Sequence, residues 1–466
     1  MNPNIAANQQ RLFLAFVAEL RPHVRSDSSL PRRIKEIFAR HRAIGSRDRK
    51  LYRELVYTWL RFLPWVEPFL GPASDCRAAA PRQALGPEPA ERAGRQASPR
   101  TQPGPTASAG PTDIDLAAKI VAWLAPDLKP TSPYRSAHCG DWPPVPETLA
   151  QKAAILGTLV GPDRWAGRSE SSPKAQTPDP IFSPSALLPA WFREHCPAAF
   201  EPPHLDAINS RASVWVRIQC NNRNLVLDEF RAQGCNFDVA AEFPDALRLP
   251  PNAEVAASDA YRRGFVEIQD LGSQMVLAHV APAGRWLDAC AGAGGKTLQL
   301  ARLLAPGGGQ VDATDIRPEI LEELRDRAKR ARLENVAIVG APEGLYDGVL
   351  VDAPCSGSGT WRRQPHLKWY AKPATIAAFT RTQLEILTAN APRVNPGGLL
   401  VYATCSLSHH ENHDVVAAFL KVHPEFKAEA PAKSYGGGFD GLGTTLLPGT
   451  RDTDGFYVAV LRQHSA

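Results

Sequence analysis

Apolar residues recur at helical spacing through the first seventy positions. Leu12, Phe13, Phe16, Val17 and Leu20 form one stripe, and Leu51, Leu55, Val56, Trp59 and Leu60 form another, with Ser46 ahead of it as an N-cap. The periodicity vanishes from about Gly71 to Thr112, where ALGPEPAERAGRQASPRTQPGPTASAGPT is dominated by Pro, Ala, Gly, Ser and Arg. Such a composition buries too little apolar surface to offset the entropy of ordering, so a disordered insertion is expected. Helical pattern returns in DLAAKIVAWLAP and ETLAQKAAILGTLV, giving an all-α domain over 1–160, followed by a Pro/Ser-rich linker at 161–185.

Beyond the linker the period changes. LLPAWFREHC reads as a short helix, SVWVRIQC as an alternating strand, and LVLDEFRAQG as a helix stopped by Gly234, together a small α+β module at 186–258. Over 259–466 the apolar runs RWLDAC, GQVDATD, YDGVLVDAPC and GGLLVYATCS alternate with amphipathic segments such as EILEELRDRAKRARL and TIAAFTRTQLEILTANAPRV. Strands alternating with helices predict a doubly wound, mostly parallel α/β sheet, with ligands at the carboxyl ends of its strands.

Composition sharpens this only slightly. The 466 residues, 44% of them hydrophobic, suffice for two or three cores. A net charge of +5 is compatible with nucleic acid without being diagnostic of it. The basic residues Arg32, Arg33, Lys35, Arg40, Arg42, Arg47, Arg49, Lys50, Arg53 and Arg61 gather in one segment, either a nucleic-acid surface or a solvated helix face. The polar start MNPNIAANQQ is no signal peptide, and no apolar run reaches the roughly 18–20 residues of a membrane span. A cytoplasmic monomer with reduced thiols and no membrane association is expected. The eight cysteines make no C-x-x-C pair and no zinc spacing. His409 and His413 stand at i, i+4 without an evident third ligand, so SHHENHD is expected to be an exposed helix start and no metal is expected.

Three motifs carry chemistry. LDACAGAGGKTLQLA, Leu287 to Ala301, is a strand, a glycine-rich turn and a helix start, where backbone N–H groups can meet a ligand. Its glycines, at 292, 294 and 295, do not fit G-x-G-x-x-G, and Cys290 stands where a phosphate-binding P-loop needs glycine. A nucleoside-methionine loop fits, and Asp315, ending the next strand, can accept from both ribose hydroxyls. DAPCSGSGTWRRQP and YATCS then put Cys355 and Cys405 at two further strand ends of one sheet, where both can face the same crevice. Asp352, Pro354 and the Gly/Ser-rich turn beside Cys355 are poor core material.

DACAGAGGKT, DAPCSGSGTWRR and YATCS, in this order and spacing, resemble the Nop/Sun (RsmB-type) RNA cytosine-5 methyltransferases. GFVEIQDLGSQ, Gln383 with LEIL, and DTDGFYVAVL extend the resemblance, which covers about Ala186 to the C-terminus. SRDRKLYRELVYTWLR is similar to the NusB-like RNA-binding domain that precedes the bacterial RsmB branch. The resemblance implies a Rossmann-like class I methyltransferase domain, S-adenosyl-L-methionine as cofactor, and RNA as partner, with 16S-type ribosomal RNA favoured and transfer RNA the alternative.

Cytosine C5 becomes nucleophilic enough to take a methyl group once a thiolate adds to C6. The residues alone do not rank the two thiols; DNA cytosine methyltransferases use the Pro-Cys thiol, which here is Cys355. The resemblance gives the attack to Cys405 and the release of the product to Cys355. It places Asp352 and Lys296 in the catalytic crevice, and the cofactor on Cys290, Ala291, Gly292, Ala293, Gly294, Gly295, Lys296, Asp315 and Asp352. Arg362, Arg363 and Lys368 are expected to meet RNA phosphates, and Trp361 or Trp369 to stack on a base. One departure stands out: NVAIVGAPEGLYDGVLVD lacks the acid the family usually sets near the adenine, leaving Glu343, or apolar and backbone contacts, to hold it. A fold that has kept RNA binding but lost activity, acting in ribosome assembly, is the rival reading.

Overall fold

The computed structural model describes residues 1–41, 44–71, 113–161 and 181–464, in two units, Met1–Leu188 and Pro189–Ala466. Residues 72–112 of the expected insertion and 162–180 of the expected linker lie outside the described residues. No helix among the described residues is long and apolar enough to cross a membrane.

In the first unit all described regular structure is helical. Helix Pro3–Leu20 buries Phe13, Phe16, Val17 and Leu20, and helix Ser46–Arg61 buries Leu51, Leu55, Val56, Trp59 and Leu60. Tyr52 meets Phe16 edge-on at 5.1 Å. The cap is Gly45 rather than Ser46, which is already the first helical residue. Of the basic segment, Arg33 pairs with Asp27 and Arg40 with Glu19, while Arg47, Lys50 and Arg53 are exposed.

The second unit holds two sheets. Strands β1 (Val214–Ile218), β2 (Asp238–Ala240), β3 (Phe243–Leu249) and β4 (Val266–Ile268) form an antiparallel sheet in the order β2-β3-β1-β4. Strand β4 lies past the expected module boundary at 258, and Trp215 of β1 shares a core with Trp286, Leu300 and Val401. The α+β module therefore belongs to the same compact unit as the larger sheet, and the break falls at Leu188.

The larger sheet comprises β5 (Arg285–Asp288), β6 (Gln310–Ala313), β7 (Val336–Ile338), β8 (Tyr346–Asp352), β9 (Val394–Thr404), β10 (Phe426–Glu429), β11 (Gly438–Phe439), β12 (Thr444–Leu446) and β13 (Phe456–Gln463). Its order is β11-β12-β13-β9-β8-β5-β6-β7, with β10 beside the far half of β13. From β7 to β9 every neighbouring pair is parallel, and β13 closes antiparallel on β9. The chain reverses its direction of winding between β5 and β8, and the crevice beyond their carboxyl ends is where such sheets bind ligands. This is the Rossmann-like methyltransferase architecture.

Candidate active site

Strands β8 and β9 run side by side with Asp352 opposite Ala403, and the Ala353 N–H donates to the Ala403 carbonyl at 2.9 Å. Just past these strand ends the chain carries Cys355 and Cys405, whose sulfurs lie 3.3 Å apart. A disulfide would need about 2.05 Å, so these are two thiols in hydrogen-bond contact. The bond to Cys405 and burial both push the Cys355 thiol well above its ordinary value. The contact and the burial both favour the protonated form of Cys355.

Beneath both thiols sits Glu411, a fully buried carboxylate. Its Oε1 accepts from the Ser356 N–H at 2.8 Å and from Gln383 Nε2 at 3.1 Å, and its Oε2 from Ser356 Oγ at 2.5 Å and Ser406 Oγ at 2.6 Å. Each serine directly follows one of the cysteines. Gln383 also donates to the Pro354 carbonyl, and Asn412 both accepts from Thr404 Oγ1 and donates to the Ser406 carbonyl. One acid thus ties the two cysteine loops together. Sequence reasoning missed Glu411 and Asn412; the repeated Cys-Ser at 355–356 and 405–406 is the signal that could have directed attention to a shared partner.

At the end of β5, Asp288 is buried against the Thr297 hydroxyl at 2.7 Å. Burial raises its pKa to about 7 despite that bond, with the Asp352 charge adding to the rise. The loop that follows is pinned to β6: the Ala291 N–H donates to Thr314, and the Gly292 N–H to Asp315 Oδ2 at 2.9 Å. Gly294 needs its lack of side chain, since at φ +88° a Cβ would lie 2.2 Å from Leu324 Cδ1. Burial pushes the Cys290 thiol up, and the Ala293 carbonyl is held by Arg327. Lys296 is nearly buried, 2.8 Å from Asp352 Oδ2 and over the Phe456 ring at 5.0 Å.

Asp315 is also gripped by Arg317, through Nε at 2.9 Å and Nη2 at 3.0 Å. Burial alone would raise the Asp315 pKa, but the Arg317 bonds hold it below the ordinary value. The Cβ directions of Gly292 and Gly295 open on space, limited only by Arg317 Nη2 at 3.9 Å from Gly292. Helix Gly295–Leu304 begins there with N–H groups that no preceding turn can satisfy. Open glycines, helix N–H groups, and the Asp315 and Asp352 carboxylates form a donor set that fits a ligand bearing a ribose and an amino-acid end, as S-adenosyl-L-methionine does.

The structure corrects the expected roles of Arg362, Arg363, Lys368, Trp361 and Glu343. Arg362 is 2% exposed, with its Nη2 on Asp452 at 2.6 Å and its Nη1 on the Thr453 carbonyl. Lys368 is fully buried and donates to Asn209 Oδ1 at 2.7 Å. Arg363 bridges Asp270 at 2.5 Å and Asp454 at 2.6 Å. These cations neutralise the protein's own acids and acceptors rather than RNA phosphates. Trp361 is fully buried against Phe192, with ring centroids 4.5 Å apart, and offers no face to a base. Glu343 is exposed, and its carbonyl accepts from Arg285 at the start of β5, away from the strand end that carries Asp288. The histidines divide differently from their i, i+4 spacing: His409 and His410 share Asp414, while His413 lies 3.3 Å from Asp440.

Residues 275–462 match the family described as 16S rRNA methyltransferase RsmB/F. Ribosomal RNA small subunit methyltransferase B of Salmonella agona (strain SL483) is 34% identical over 290 residues, covering 59% of this chain and 66% of that protein. The protein of the same name from Citrobacter koseri (strain ATCC BAA-895 / CDC 4225-83 / SGSC4696) is 34% identical over 294 residues, with the same coverage. The chain thus spans just under two thirds of the length of these curated relatives. Among solved structures, PH0851 superposes with a TM-score of 0.65 at 20% identity, over 99% of each chain. NSun6 from Pyrococcus horikoshii with SFG superposes with a TM-score of 0.54 at 18% identity, over 59% of this chain and 97% of that one. The structural likenesses are likenesses of fold.

Proposed function

We propose that the chain methylates C5 of a cytosine in RNA, 16S-type ribosomal RNA above all, through a covalent bond from Cys405 to C6; the match of residues 275–462 to the 16S rRNA methyltransferase RsmB/F family supports this reading. The observation that carries this reading is the pair of thiols 3.3 Å apart at neighbouring strand ends, beside a loop suited to S-adenosyl-L-methionine. That cofactor supplies, when bound, an electrophilic methyl group. Gly292, Gly294, Gly295 and Asp315 are the residues that would hold it, with Arg317 moving off Asp315 where ribose hydroxyls take its place.

The rest is done by this chain. Cys405 adds to C6, and the pyrimidine becomes enamine-like at C5. Asp352, steadied by Lys296, accepts hydrogen bonds from the base edge as charge shifts in the ring. After methylation the C5 proton must leave. The largest influence holding the proton on Cys355 is its bond to Cys405, and that influence weakens once Cys405 is a thioether. Cys355 gives its proton to water and, as thiolate, takes the one from C5; the C5–H electron pair restores the C5=C6 bond as the C6–S bond breaks, and Cys405 leaves as thiolate. Arg47, Lys50 and Arg53, exposed on the NusB-like helical unit, supply a basic surface for RNA.

Transfer of tritiated methyl groups from S-adenosyl-L-methionine tests the assignment. Unmodified ribosomal RNA should be labelled, with the label recovered as 5-methylcytosine. Label on transfer RNA alone would change the target, and no label from protein that binds the cofactor would favour an assembly role.

A further inference from the structure

Downstream of Cys405, two imidazoles converge on one carboxylate oxygen. His409 Nδ1 lies 3.1 Å and His410 Nδ1 2.8 Å from the same Asp414 Oδ2. The two rings are 4.0 Å apart, and the three candidate ligand atoms lie within 4.8 Å of one another. No Lys or Arg pairs with Asp414 among the described residues. A third ring, His195, stands 4.7 Å from His410, with its Nδ1 on Ser408 Oγ at 2.9 Å.

We propose that His409, His410 and Asp414 form a binding site for a divalent first-row transition ion such as zinc. Two neutral imidazoles and a carboxylate are a standard three-ligand set, which leaves outer positions to water. The ligand atoms are close to the spacing an ion needs: atoms about 2.1 Å from a shared tetrahedral ion sit about 3.4 Å apart, and small rotations of the two exposed rings bring the set to that separation. The scaffold is already fixed. Ser408 is tied to His195 and Ser406, and Asn412 to Thr404 and Ser406, so little ordering entropy remains to be lost when an ion arrives. The ligands also bracket Glu411 and Asn412, the two residues that hold the cysteine loops. An ion here clamps the turn at His409–Glu411 onto helix His413–Val422 and stiffens the segment that orders the thiols.

The test is calorimetric titration of zinc into full-length protein stripped with a chelator, with cobalt(II) as a spectroscopic probe. One equivalent should bind. The cobalt complex should show d–d bands without the sulfur-to-cobalt charge-transfer band that a thiolate ligand adds. Asp414→Asn and His410→Ala should each weaken binding by at least about tenfold. His413→Ala and the double variant Cys355→Ser/Cys405→Ser should bind as wild type does. Circular dichroism and thermal unfolding of each metal-free variant establish that it is folded; the substituted side chains at 410 and 414 are partly exposed, so folding should persist. Absence of saturable binding by the wild type overturns the proposal. So does binding that is lost with the cysteines but kept in Asp414→Asn, which would make the thiol pair the metal site.

Discussion

The Glu411 carboxylate accepts a hydrogen bond from Ser406 Oγ at 2.6 Å, and through its three other donors it joins the loop of Cys405 to the loop of Cys355. Replacing it by alanine leaves those buried donors without an acceptor. Removing one partner of such a network costs about 3 kcal/mol. Glu411→Ala should therefore lose about that much stability in urea unfolding, and methyl transfer should fall more steeply than stability does. Glu411→Gln, which keeps the volume and one acceptor, should recover most of the stability but not the rate.

The buried cations make an opposite prediction for RNA. Arg362→Met leaves the Asp452 carboxylate without the partner 2.6 Å away and should destabilise the fold by about 3 kcal/mol. Its effect on the salt dependence of RNA binding should be nil, because no phosphate contact is lost. A shallower salt slope in the folded variant would return Arg362 to the RNA surface.

Much of this was legible in the sequence, and what was not has a common cause. The strand ends, the glycine loop and the convergence of Cys355 with Cys405 follow from local pattern, since a parallel sheet brings its carboxyl ends to one edge. The fate of Arg362, Arg363 and Lys368 does not, because their partners Asp452, Asp270 and Asn209 lie 90, 93 and 159 residues away. A charged residue beside an active-site motif looks available until the distant loops and helix caps that pair with it are in place. Glu411 was hidden for the same reason: SHHENHD reads as polar surface, yet Glu411 and Asn412 turn inward while His409 and His410 stay outside.

Two neighbouring glycines separate backbone strain from mere proximity to the cofactor. Gly294→Ala forces an L-residue to φ +88° and drives its Cβ to 2.2 Å from Leu324, so a loss of about 1–3 kcal/mol is expected, together with weaker cofactor binding. Gly295→Ala meets nothing within 4 Å and should leave stability nearly unchanged. Thermal unfolding and cofactor titration of the two variants check this contrast.

Asp288 gives the fold a pH dependence of definite sign. Its folded pKa is raised from 3.8 to about 7, so between these values the unfolded chain ionises while the native carboxyl stays protonated. The native state then holds more protons, and this group's contribution lowers stability as pH climbs through that window. Asp288→Asn removes the effect. The stability difference, variant minus wild type, should grow in the variant's favour from pH 4 to pH 7 and level off above, as read by urea unfolding at several pH values. A flat difference would contradict the buried, protonated Asp288.

The division of labour between the two thiols is the central claim, and covalent trapping tests it most directly. RNA carrying 5-fluorocytosine at the target has no C5 proton to lose, so the adduct persists. Wild-type protein should form a species stable to denaturing electrophoresis with this RNA, and Cys405→Ala should form none. With ordinary RNA, Cys355→Ala should accumulate adduct because it cannot complete the release. Adduct in Cys405→Ala together with its absence in Cys355→Ala would contradict the account and make Cys355 the nucleophile.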